Sequence, residues 1–280
     1  MSGTVFAALL FGALMSATWN AIIKSGSNKY LHAVLVANSA ALIAVILLPF
    51  LRQPAPQAWL YLAASAALQV IYYKFLANAF HAGDMSHAYP IMRGTAPLLV
   101  SLVSGPVIGE ALSLGTWIGV SMICAGVVGL TWEGRQRTSA NRAVLKYGLS
   151  NAVIIASYTV MDGMGVRQSG SAAGYTMWNL LLAALILLIW TMLTRRREFL
   201  AYAEGRLRVA LAGGLAAVTS YGIALWAMTQ APIAAVAALR ETSMIFVLAI
   251  AVVIFKERAG VRRYGATALI AGGAVAIRLL

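Results

Sequence analysis

Acidic side chains are scarce in this sequence: eight Asp and Glu stand against 21 Lys and Arg, and charged residues make up only 10% of the chain. With 61% of residues hydrophobic, too little polar surface remains to clothe a soluble domain, so water is excluded as the main solvent. Cysteine is nearly absent. The one present, Cys124, lies inside an apolar stretch and excludes an internal disulfide. The histidines, His32, His81 and His87, flank such stretches, where solvation is expected, and their spacing does not make a metal site. Missing too are an HExxH zinc helix, a GxSxG elbow and a nucleotide loop, which argues against an enzyme and against self-contained ATP-driven pumping. No cofactor and no metal are expected.

What fills the chain instead is apolar sequence in runs long enough to cross a bilayer, which takes roughly 20 residues. Spans are predicted near 4–23, 31–51, 57–80, 86–108, 112–132, 146–166, 174–194, 208–228, 233–255 and 262–279. Only the loops 133–145 and 195–207 are long enough to stand clear of the membrane, and neither has the length to bury a core. The first stretch has no basic residue before it and runs into Asn20 and Lys24 without a small-residue cleavage site, so it reads as a retained helix.

The net charge of +13 does not signal nucleic acid here, because the basic residues sit at the ends of spans. Lys24, Lys29, Arg135, Arg137, Arg142, Lys146, Arg195, Arg196, Arg197, Arg206, Arg208, Lys256, Arg258, Arg262 and Arg263 share one face, whereas Arg52, Arg167 and Arg278 lie on the other. The rich face is expected to be cytoplasmic, with both termini outside and the protein multi-pass in the cytoplasmic (inner) membrane.

The sequence also repeats itself. A shift of 147 positions aligns Ala88 with Ala235, Arg93 with Arg240, Thr95 with Thr242, Val100 with Val247, Glu110 with Glu257, Ile123 with Ile270 and Gly126 with Gly273. A weaker match at 139 pairs Trp19 with Tyr158 and Gly26 with Gly165. Five spans per copy is an odd number, so the second copy must enter the membrane from the opposite side. The predicted fold is an all-α integral membrane protein of ten transmembrane helices, two inverted five-helix repeats around a central cavity, with repeats at 1–135 and 145–280 joined by a linker at 136–144. Such repeats place a substrate near the bilayer midplane and exchange its access by rocking one half against the other.

The sequence Gly109-Glu110-Ala111-Leu112-Ser113, with Gly119, Ala125-Gly126 and Pro97, resembles the drug/metabolite transporter superfamily in its ten-helix, EamA-type form. An echo follows in Glu257-Arg258, Gly265 and Gly272-Gly273. The second half departs more from the pattern: Lys256 stands where the family usually has glycine, and Met244 aligns with Pro97. The resemblance covers essentially the whole chain and implies a membrane transporter, with the cargo left open among amino acids, sugars, phosphorylated metabolites, nucleobases, amines and drugs.

Its small residues have a physical reading, because helices in lipid gain nothing hydrophobic by associating and rely on close backbone approach. Gly105-x-x-x-Gly109 and Gly115-x-x-x-Gly119 read as such packing seams. Pro90, Pro97 and Pro232 either kink their spans or free carbonyls toward a cavity.

Ionisable residues inside spans cost at least ~2.5–3.5 kcal/mol each, so they mark a cavity or a fixed partner. Lys74, Arg93, Asp162, Arg240 and Glu241 qualify. Arg93 and Arg240 are repeat mates, which suggests an anion-binding pair; in the competing reading each is neutralised by Asp162 or Glu241 and pins two helices. Lys74 has the same two readings, since its stem can snorkel to an interface. Arg240 and Glu241 are neighbours on one predicted helix and so point about 100° apart, one toward the cavity and the other toward a helix. Glu241 and Asp162 are the proton-coupling candidates, although Asp162 is expected at a hydrated helix end. Trp19, Asn20, Tyr73, Tyr89, Tyr158 and Tyr221 complete the candidate substrate site, with Tyr72, Asn78, Trp178, Asn179 and Trp226 as further possibilities, while Trp59, Trp117, Trp132 and Trp190 read as interfacial anchors.

Three classes of function are in view: transport, an intramembrane enzyme, which the missing motifs argue against, and a membrane scaffold or sensor. The leading one is secondary transport, by alternating access, of a small polar metabolite, anionic or zwitterionic, such as an amino acid or a phosphate- or phosphonate-bearing compound. The alternative within transport is an exporter of amines or cationic drugs, with an aromatic cage and Glu241 or Asp162 as counter-ion. A scaffold or sensor has no need of a duplicated, inverted architecture. The expected partners are the small-molecule substrate, the lipid bilayer and a coupling proton or counter-substrate, in a monomer or homodimer.

Overall fold

The computed structural model describes residues 1–82, 85–130, 142–253, 256 and 260–279, and of residues 73–74, 76–82, 85–89 and 143 the backbone alone. The linker expected at 136–144 therefore falls mostly outside the described residues, as do Glu257 and Arg258.

Among the described residues the chain is all helical. The first half holds α1 (Gly3–Ser25), α2 (Lys29–Leu47), α3 (Ala58–Ala82), α4 (Met85–Val103) and α5 (Leu114–Gly129). The second holds α6 (Arg142–Gln168), α7 (Ala172–Ala203), α8 (Leu207–Met228), α9 (Ile233–Arg240), α10 (Ser243–Val253) and α11 (Val261–Leu279). Side-chain caps set several starts: Ser2 accepts from the Val5 amide, Asn28 from Leu31, Ser113 from Thr116 and Ser171 from Gly174. Hydroxyls within the helices bond back to carbonyls four residues earlier, as Thr18 does to Leu14 and Ser104 to Val100, which removes the cost of a bare polar group in lipid. Large apolar side chains point outward, Leu193 at 80% exposure among them, as a lipid-facing surface requires.

Among the described residues seven helical stretches are long and apolar enough to cross a membrane, and Ala58–Tyr72 and Leu114–Gly129 are shorter apolar helices. The ninth predicted span, 233–255, holds as an apolar stretch over Ile233–Val253 but not as one unbroken helix. It breaks into α9 and α10 at Glu241–Thr242, where the backbone closes with tight turns and the Thr242 hydroxyl donates to the Leu239 carbonyl at 2.6 Å. The loop expected at 195–207 is a second correction. α7 kinks at Arg195 (φ −141°, ψ 34°) and continues helically to Ala203, because Phe199 and Tyr202 bury themselves against Leu31, Val34 and Leu35 of α2 and Ala210 of α8. His32 is a third. It is 4% exposed, shares a 2.9 Å hydrogen bond between Nδ1 and the Tyr202 hydroxyl, and leaves Nε2 without a partner, so it is buried by that same packing rather than solvated.

Helix pairing exchanges under the repeat. α1 packs on α8 as its counterpart α6 packs on α3, while α2 meets α7, α4 meets α9 and α5 meets α11, each pair made of repeat mates. The α5–α11 seam shows the sense of the exchange. A Cβ at Gly119 would lie 2.6 Å from the Gly273 carbonyl, and one at Gly126, seven residues later, 2.8 Å from that of Ala266, seven residues earlier. These equivalent helices therefore run antiparallel, and the 147-residue shift turns one contact into the other. Gly105 and Gly109 have a different role from the packing seam expected of them: nothing lies within 4 Å of a Cβ at either, and Gly109 ends the π-helical turn Ser104–Ile108 at φ +76°. Its mate Lys256 adopts the same left-handed backbone, at φ 53°, without being glycine.

Contacts between distant segments gather at the two ends of the bundle. Arg278 donates to the Met1 carbonyl at 3.2 Å, Ala55 to the Ser169 carbonyl at 2.9 Å, and Arg167 reaches Glu110, all at one end. Tyr30 with Thr191 and His32 with Tyr202 meet at the other.

Candidate functional site

A cavity lies between the halves. Arg93, Ala96, Pro97 and Val100 of α4 face Ile155, Tyr158 and Thr159 of α6 and Ala237, Arg240 and Glu241 at the end of α9. Its volume is about 20 Å³, room for one water molecule. α4 runs helically through Pro90 and Pro97, and Pro97 forms part of the wall.

Both repeat-mate arginines line this hollow, in different states. Arg93 is forked onto Glu241: Nε donates to Oε2 at 3.1 Å and Nη2 lies 2.8 Å from Oε1, with side chains 19% and 6% exposed. This bond joins the first half to the second. Arg240 makes no ion pair among the described residues; its guanidinium carbon sits 5.3 Å from the centroid of the Tyr221 ring. The expectation that Arg240 and Glu241 point apart fails because the helix ends between them, so both reach the cavity.

Asp162 is also placed differently from the hydrated helix end expected of it. It is 1% exposed. The flanking Gly163 and Gly165 have no room for a Cβ against Ile233 and Tyr175, so α9 and α7 close over the carboxylate. Tyr221 donates to Oδ2 at 2.6 Å; Tyr175 and Asn179 donate to Oδ1 at 3.1 and 2.8 Å. Gln69 extends the network from α3, donating to the Ser65 hydroxyl and the Asn179 carbonyl, each at 3.3 Å. Asp162 thus anchors a polar cluster beside the cavity and is absent from its lining.

Of the remaining candidates, Tyr158 lines the cavity and packs edge-on against Tyr72, with centroids 6.2 Å apart. Trp19 and Asn20 are half-buried on α1 and do not line it, and the Asn20 amide donates to the Ser16 carbonyl of its own helix at 2.7 Å. The side chains of Tyr73, Lys74, Asn78 and Tyr89 lie outside the described residues. Among the described residues no three His, Cys, Asp or Glu come together as metal ligands.

One cluster escaped sequence reasoning. Glu110 accepts from the Ile233 amide at the start of α9, at 3.1 Å, and pairs with Arg167 at 2.5 Å, while Arg167 donates to the carbonyls of Met228 and Ala231. A carboxylate at the N-terminus of α9 and a guanidinium on the last carbonyl of α8 is a favourable polarity at both sites. The available signal was that Glu110 lies in the repeat, but only the tertiary approach of α6 and α9 supplies its partners.

Known proteins resemble this chain in two ways. No curated protein matches it. A solved structure titled "Crystal structure of protein" aligns over 100% of this chain and 98% of its own, with a TM-score of 0.78 at 18% identity, which shows a shared fold. The model of the EamA-like transporter family matches residues 3–132 and again 143–279, one copy for each half. By that double match across nearly its whole length, and with the apolar helices that carry it through a membrane, the chain belongs to the EamA-like transporter family.

Proposed function

We propose that this protein is a secondary transporter that carries a small anionic or zwitterionic metabolite, an amino acid or a phosphate- or phosphonate-bearing compound, across the cytoplasmic membrane by alternating access. The two halves, 1–135 and 145–280, are read as inverted five-span repeats with both termini outside; the antiparallel α5 and α11 and the gathering of Arg52, Arg167 and Arg278 at one end support this.

The observation that carries the cargo reading is Arg240. It is a cation on the wall of a hollow between the halves, without a carboxylate partner among the described residues, while its mate Arg93 already holds Glu241. A charge kept inside a membrane needs a compensating group, and a cargo carboxylate or phosphonate supplies it. A hollow of about 20 Å³ is too small for such a cargo, so α4 and α6 must draw away from α9 to admit it. The amine alternative has weaker support. Tyr158 is the one aromatic among the described lining residues, and Glu241 and Asp162 already have donors.

A thermal-shift screen of the purified protein against a metabolite panel, followed by counterflow in proteoliposomes, tests this. An anionic or zwitterionic ligand should raise the melting temperature and exchange across the membrane, and both effects should be strongly weakened, though still measurable at high ligand concentration, in Arg240→Gln. Undiminished exchange in that variant, or stabilisation by amines alone, overturns the reading.

A further inference from the structure

We propose that Asp162 is a positioning residue that acts through Tyr221 to aim Arg240 at the cargo; this rests on the assignment of Arg240 as the anion contact. The geometry is a three-part chain across three helices. Asp162 on α6 takes the Tyr221 hydroxyl of α8 at 2.6 Å, shorter than its bonds from Tyr175 and Asn179, and the face of that same ring lies 5.3 Å from the Arg240 guanidinium on α9. A carboxylate bonded directly to Arg240 would occupy the donors that an incoming anion needs, as Glu241 occupies those of Arg93. Placing the carboxylate behind a tyrosine avoids this. The ring face holds the guanidinium without using an N–H, the hydroxyl fixes the ring, and the buried carboxylate, bonded at that hydroxyl, stays off the cavity wall.

The remaining bonds of Asp162 suit an anchor. Tyr175 and Asn179 of α7 hold Oδ1, so the carboxylate cannot turn to follow Arg240, and the missing Cβ atoms of Gly163 and Gly165 let the holding helices close in. Held on both oxygens by these donors, Asp162 serves as an anchor, and Tyr221 becomes a support for the site in place of a cargo contact.

The test pairs two measurements. In the first, methylphosphonate and glycine serve as probes, and their dissociation constants are read from thermal shifts of wild type, Asp162→Asn, Tyr221→Phe and Arg240→Gln. Asp162→Asn and Tyr221→Phe should each weaken the bound probe by about tenfold, the double variant should be little worse than either, and Asp162→Asn should have no further effect in the Arg240→Gln background. An equal loss in the presence and absence of Arg240 would mark Asp162 as merely structural and overturn the proposal. If neither probe stabilises wild type, the anion assignment fails on its own, and the second measurement still decides the positioning claim. The Arg240 Nε–H resonance, identified by its disappearance in Arg240→Gln, should carry an upfield displacement from the Tyr221 ring that is lost in Asp162→Asn. Its persistence there would sink the idea whatever the probes do.

Discussion

The Arg93–Glu241 bond is a charged contact across the cavity, and its worth lies in compensating a buried carboxylate. Glu241 is 6% exposed at the side chain, so truncating it removes the carboxylate that accepts from both Nε and Nη2 of Arg93 in a nearly dry wall. Glu241→Ala should lower stability by about 3–5 kcal/mol, whereas replacing both partners, as Arg93→Leu with Glu241→Leu, should recover most of that loss. Chemical unfolding in detergent measures both; a single variant as stable as wild type would show that water already screens the pair. Sequence alone identified these residues as embedded charges, and the repeat aligned Arg93 with Arg240. It did not reveal which arginine is paired. Being mates gives two residues equivalent backbone positions, but their neighbours differ: α4 runs on past Arg93, while the chain turns at Glu241 and brings that carboxylate around to face it. His32 and Asp162 were misplaced for a related reason. Each sits near the end of its own helix, where solvent is the natural guess, and each is covered by a segment distant in sequence, Tyr202 in one instance and Tyr175, Asn179 and Tyr221 in the other.

Whole elements were the most legible part, because a bilayer imposes length and apolarity on each of them. The seam between α5 and α11 follows from glycines that the sequence displays openly, and it makes a sharp prediction. Gly119→Ala should cost about 1–3 kcal/mol, since its methyl would press into the Gly273 carbonyl and Ile277, and Gly273→Ala should cost about the same, since it presses into the Gly119 carbonyl. Gly105→Ala, with nothing within 4 Å, should change stability by no more than about 0.5 kcal/mol. Equal responses at all three sites in thermal unfolding would refute the seam. The kink at Arg195 and the break at Glu241–Thr242 were not legible for what they are, since neither involves a proline and their polar residues, Arg195–Arg197 and Arg240–Ser243, read as a span end and as embedded charges. The residue before each kink is compatible with a continuing helix, and only tertiary packing decides otherwise.

At the scale of the molecule, the two halves exchange places through pairs of equivalent helices, and charge ties them at the end where basic residues are few. Arg167 joins the end of α6 to Glu110 of the first half, and Arg278 at the end of α11 reaches the carbonyl of Met1. That last contact means the first and last helices finish side by side. The order in which the halves are synthesised is then separable from the order in which they pack. A circular permutant, with a short polar bridge joining the end of α11 to the start of α1 and new ends opened within 136–144, should fold and exchange cargo at rates close to those of the parent. Failure of that permutant to insert would mean that the leading half must template the trailing one. Success would make the protein two interlocking pieces for which head and tail are accidents of the gene.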